Sequence, residues 1–187
     1  MGVVVTNRSV VLDTADYMIR ESGLLGLDVD QLASSTGTSE QDISKMFSSV
    51  NGVEHAVLQR YIDRFLQILG DPSTQTLHFR RALDTYIAAF QAGMADGGEL
   101  FLSAVLGDKD EELPEDLQEL AATFARRARV WLADLLEYSG NWSSEEALVK
   151  SDFVLAALEV AVLIGNTSED PEIFDNLSVN IHNICMQ

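Results

Sequence analysis

Residues 38–45, Thr-Ser-Glu-Gln-Asp-Ile-Ser-Lys, line up hydroxyl, carboxylate, amide and ammonium groups along what their spacing predicts to be one short helix. Such a row could meet base edges in a DNA major groove, where even a carboxylate has a partner in cytosine N4. Affinity for DNA, however, comes largely from Lys and Arg neutralising phosphates. Residues 1–60 hold four Lys+Arg against eight Asp+Glu, a net of −4, and Glu40 and Asp42 fall on the reading helix itself. A nucleic-acid-reading segment is expected to be basic, so spacing and charge point in opposite directions.

Other reactive groups are sparse. His55, His78 and His182 fall on three different predicted helices with no HExxH and no Cys/His pairing, which makes them surface or packing residues and not a zinc site. The run Asp108-Lys109-Asp110-Glu111-Glu112 has a calcium-loop flavour, but Leu113 stands where that loop needs glycine and Pro114 follows, leaving a solvated acidic linker. With no Gly-rich phosphate loop and no nucleophile elbow, the sequence assigns no catalytic residue, no metal and no cofactor, and an enzyme is not expected. The single Cys185 excludes a disulfide within the chain, fits a reducing cytoplasm and suits an inert apolar position on the last helix. Arg80-Arg81 and Arg126-Arg127-Arg129 are the basic clusters. They either recognise an acidic ligand or partner, or pair with the many surface carboxylates.

The chain has 187 residues, 47% of them hydrophobic, enough for one or two small helical domains. Its formal charge of −18, from 12 Lys+Arg against 30 Asp+Glu, argues against a membrane surface or a general nucleic-acid partner. An acidic surface also fits a saline habitat. The most apolar run, 153–165, is interrupted by Glu159 and falls short of the roughly twenty residues of a membrane span. The N-terminus lacks the basic region of a signal peptide, so a cytoplasmic location without a membrane partner is expected.

Helices must position these groups. Val10, Val11, Ala15, Met18 and Ile19 recur at helical intervals up to a stop at Gly23. Asp28 is placed to cap a second helix carrying Val29, Leu32 and Ala33, Gly37 turns the chain, and Ser39 caps a third with Ile43, Met46 and Phe47 inward. Two short helices across a tight turn make a helix-turn-helix. Further helices are predicted over 52–69, 74–94, 99–106, 114–138 and 143–164, and from 171 onward. The fold class is therefore all-α with about nine helices, divided into a head at 1–51 and a helical domain at 52–187. Phe153, Leu155, Ala156, Leu158, Val160, Val162, Leu163 and Ile164 make one helix apolar around most of its circumference, more than one domain face needs.

Ala15, Gly23, Leu32-Ala33, Thr36-Gly37-Thr38-Ser39, Ile43 and Phe47 together resemble the head of the TetR (AcrR-type) family of bacterial transcriptional regulators. Gly97-Gly98-Glu99-Leu100-Phe101, Leu113-Pro114, Trp131-Leu132, Ala156-Ala157-Leu158-Glu159 and Asp170-Pro171-Glu172-Ile173-Phe174 extend the resemblance over nearly the whole length. The resemblance implies a three-helix DNA-binding head followed by a C-terminal ligand-binding and dimerisation domain. It implies DNA contacts from Arg8, Thr38, Ser39, Gln41, Asp42 and Lys45. It implies a small-molecule cavity walled by Phe65, Tyr86, Phe90, Phe101, Phe124 and Trp131, residues that core packing would explain equally well. A twofold homodimer would form through Phe153, Leu155, Leu158, Val162, Phe174, Leu177 and Ile181.

Three departures from the family pattern stand out. Ser44 replaces the usual phosphate-contacting Tyr, Val50 replaces a Lys, and no basic arm precedes Arg8. The expected function is a ligand-responsive regulator that binds operator DNA as a homodimer. The alternative is a TetR-like protein that has lost DNA binding and acts as a protein-interaction or small-molecule-binding module.

Overall fold

The structure, a computed structural model, describes residues 8–23, 26–95, 114–168 and 172–186. Among the described residues there are eight α-helices and no strand: α1 (Arg8–Ser22), α2 (Val29–Thr36), α3 (Glu40–Phe47), α4 (Val50–Leu69), α5 (Phe79–Ala95), α6 (Glu115–Tyr138), α7 (Ser144–Ser168) and α8 (Glu172–Met186). The helix expected at 99–106 lies outside the described residues.

The head folds as its caps and apolar spacing dictate. α1 buries Val11, Leu12, Ala15 and Ile19 and stops at Gly23, whose φ of 80° is left-handed. Asp28 accepts hydrogen bonds from the Asp30 and Gln31 N–H groups at the start of α2, and Gly37 ends that helix at φ 64°. Ser39 accepts from the Asp42 N–H, and α3 turns Ile43 and Phe47 inward. Ser48, a residue other than glycine, then ends α3 at φ 68°.

α4 starts at Val50, two residues before the apolar spacing suggests, because Ser49 caps it by accepting from the Gly52 N–H at 3.0 Å. Gly52 is required for a steric reason: a Cβ there would run into the Phe47 carbonyl. α4 packs on α1 and α3 and also on α5 and α6. Its buried Val53, Val57, Leu58, Ile62, Phe65 and Leu69 therefore carry one continuous core from Val11 in the head to Cys185 in the last helix.

α5 begins at Phe79, later than the predicted 74. Asp71 instead caps a 3₁₀ turn, Pro72–Thr74, and a second one, Thr76–His78, follows. The Gln75 side-chain amide donates to the Leu69 carbonyl, and the Trp131 Nε1–H reaches the Gly70 carbonyl at 2.7 Å, so this corner is tied to α6. α7 opens on a capping box in which Ser143 and Glu146 bond each other's backbone N–H groups. The end of α8 is held to α7 and to the turn before it: Lys150 donates to the Ile184 carbonyl at 2.9 Å, and the Trp142 Nε1–H to the Cys185 carbonyl at 3.3 Å.

Candidate nucleic-acid interface and ligand site

α3 presents Glu40, Gln41, Asp42, Ser44 and Lys45 to solvent, while Ile43 and Phe47 anchor it. Ser39, Gln41, Asp42 and Lys45 thus share the exposed side of one short helix. Thr38 is buried in the turn behind them. Arg8, at the start of α1, lays its guanidinium 4.7 Å from the centre of the Phe47 ring, which places a cation beside the C-terminal end of α3.

The electrostatics of this face are self-compensated. Lys45 Nζ is 3.1 Å from Asp42 Oδ1, and the Ser39 hydroxyl donates to the other Asp42 oxygen at 2.7 Å. The Ser39 hydroxyl and then the Lys45 ammonium hold the Asp42 carboxyl below the usual carboxylate range. Glu40 shares a hydrogen bond with the Asp30 carboxyl, and that bond, together with the like charge, pushes the Glu40 carboxyl up. The one lysine of α3 is therefore already answered by a neighbouring carboxylate, and an acidic pair joins the first turn of α2 to the start of α3.

Five of the six predicted ligand residues converge. Phe65 is the hub, with ring centres 5.2 Å from Phe90, 4.9 Å from Phe124 and 6.2 Å from Tyr86. Tyr86 stacks on Trp131 at 5.6 Å and donates its hydroxyl to the Ala128 carbonyl. Burial pushes the Tyr86 phenol up, so it stays protonated. Phe101 lies outside the described residues. Tyr61 joins the cluster 5.7 Å from Phe124.

Sequence reading missed Glu54. It is 4% exposed, one carboxylate oxygen has no hydrogen-bond partner, and burial, with Asp116 adding to it, pushes the carboxyl up to about 7. Its signal was present: Glu54, Leu58, Tyr61 and Phe65 form one helical stripe in which Glu54 is the lone carboxylate.

The predicted interface residues divide. Leu155, Leu158, Val162, Phe174 and Ile181 are buried within the chain itself, Leu177 is half-buried, and Phe153 is 56% exposed. Phe153 belongs to a different stripe of α7, with Val149, Ala156, Val160 and Ile164, all exposed, and α8 adds exposed Val179. Of the arginine clusters, Arg129 pairs with both oxygens of Asp152, and Arg126 bonds the Thr123 hydroxyl.

No family model matches the sequence, and no curated protein matches it. Solved structures do match the fold. A TetR transcriptional regulator from Legionella pneumophila superposes with a TM-score of 0.82 at 18% identity, over 96% of this chain and 98% of its own. The reduced form of E. coli NemR gives 0.77 at 19% identity, over 94% and 95%. A transcriptional regulator from Rhodococcus gives 0.65 at 20%, over 95% of each chain. At such identities the likeness is one of architecture, and by that measure the chain has the all-helical fold of the TetR/AcrR transcriptional regulators from its head to its last helix.

Proposed function

We propose that this chain is a TetR-type transcriptional regulator that reads operator DNA as a homodimer and responds to a small molecule. The observation that carries the reading is the capped α2–turn–α3 unit, in which α3 turns Glu40, Gln41, Asp42, Ser44 and Lys45 outward, on a fold shared end to end with solved regulators. Gln41, Asp42 and Lys45 would face base edges, with Ser39 at the helix start and Arg8 near phosphate. The α7 stripe of Val149, Phe153, Val160 and Ile164 is the surface a twofold partner would cover. A ligand at the aromatic cluster would favour one spacing of the two heads over another and so weaken or strengthen operator binding.

A second reading has a specific observation behind it. Lys45 is paired with Asp42, Glu40 stands beside Asp30, and Ser44 and Val50 occupy the usual anchor positions. These favour a TetR-like module that binds a protein or small molecule and no DNA.

Fluorescence anisotropy against DNA from the chain's own upstream region and against random duplex separates the two. A regulator binds saturably and selectively at about 150 mM salt. No binding at about 20 mM salt, where screening is weakest, supports the second reading. If the head reads DNA, Lys45→Glu abolishes selective binding, while Glu40→Lys strengthens binding to every duplex and steepens the log–log salt slope by about 1.

A further inference from the structure

We infer that a groove on the flank of the head, between the start of α1, the end of α3 and the outer face of α4, binds a small organic anion, a carboxylate or phosphate monoester on an apolar body. The groove is about 540 Å³, inside the roughly 300–1,000 Å³ range of small-molecule sites. Arg8, His55, Arg60 and Arg64 line it, with the half-buried Met46 and Ala56 supplying apolar surface. On a chain of formal charge −18, a concave surface that collects three arginines runs against the average field. The sequence hides it, because Arg8 lies far along the chain from Arg60 and Arg64.

The three arginines differ in what they have left to offer. Arg60 is committed: it bonds Asp13 Oδ1 at 2.6 Å and the Leu12 carbonyl at 3.1 Å, which fixes the wall between α1 and α4. Arg8 is placed over the Phe47 ring and has no acidic partner among the described residues. Arg64, exposed one turn beyond Arg60, also has none among them. Asp63, the one carboxylate lining the groove, accepts from the Gln59 amide at 2.9 Å. Two guanidiniums with no acidic partner among the described residues thus line one groove, and His55 can add a ring N–H. A planar guanidinium bonds a carboxylate or phosphate with two parallel N–H donors, and the half-buried Met46 and Ala56 beside them can pack on an apolar body.

The distance along α4 argues against a DNA phosphate as the occupant. At 1.5 Å per residue, Arg64 stands about 20 Å from the start of α4 beside the reading helix. A duplex engaged by α3 would leave it unused. The groove that both arginines line is open to a free small anion.

Isothermal titration of the full chain with phenyl phosphate, inorganic phosphate and benzylamine tests this without DNA, so its outcome is independent of whether the head reads an operator. Phenyl phosphate should bind at one site per chain, more tightly than inorganic phosphate, with benzylamine inert. Arg64→Glu and Arg8→Gln, both exposed substitutions checked for native helicity by circular dichroism, should each weaken binding about tenfold. Arg81→Glu, in the exposed Arg80-Arg81 cluster at the start of α5, should leave it unchanged. The inference is overturned if phenyl phosphate does not bind, if benzylamine binds as well, if neither groove variant alters the affinity, or if Arg81→Glu does so instead. Binding of tetraglutamate with none of phenyl phosphate also overturns it and assigns the groove to an acidic peptide.

Discussion

Glu54 shows how one side chain sets a pH dependence. Its carboxyl titrates at about 7 in the folded chain against 4.5 in an unfolded one, because the charged form is buried without a full set of partners. The folded state therefore holds the proton more tightly. The contribution to stability is complete below about pH 4.5 and is lost as pH rises to about 7. The loss is of order 2–3 kcal/mol. Glu54→Gln should match the native chain in urea unfolding at pH 5 and exceed it at pH 8 by about that amount. An equal pH profile for the two proteins would place the titration elsewhere. The aromatic residues had a different fate in the sequence. The resemblance picked out Phe65, Tyr86, Phe90, Phe124 and Trp131 as cavity walls or core, but ring-to-ring stacking depends on how α4, α5 and α6 cross, which spacing along a single helix does not encode.

At the scale of elements, the α3–α4 turn is the most demanding joint in the head. Gly52 fits only because it has no side chain to meet the Phe47 carbonyl, and Ser48 holds a left-handed conformation that glycine adopts more easily. Gly52→Ala should cost about 2 kcal/mol or more, since the opposing atom is backbone and cannot swing away. Ser48→Gly should be neutral or stabilising by up to about 1 kcal/mol. Denaturant unfolding monitored by helical circular dichroism distinguishes the two signs. Caps and stops such as Asp28, Gly37 and Ser39 were legible because each acts within one turn of its own helix. The joint was not, because Gly52 answers to an atom on the preceding helix. α7 was harder still: apolar all round, it gives no periodic hint of which side meets α6 and α8. Only packing shows that Leu155, Leu158 and Val162 face inward and Val149, Phe153 and Val160 outward.

For the whole molecule, that outward stripe makes assembly a prediction with a single-residue test. Phe153→Asp should leave the monomer fold intact, since the side chain is 56% exposed, and should convert a dimer to a monomer by light scattering at micromolar concentration. A native chain that is already monomeric there would remove the twofold reading altogether. The continuity of the core through α4 implies that head and body unfold together, in one transition with coincident probes. Cys185 lies at the far end of that core, buried, its thiol pushed up to about 11 by burial, beneath an α8 terminus fastened by Trp142 and Lys150. As the chain's one thiol, it is a built-in clock. An alkylating reagent can mark it only when the last helix lifts away, so the half-time of labelling under native conditions measures that local opening with no probe added.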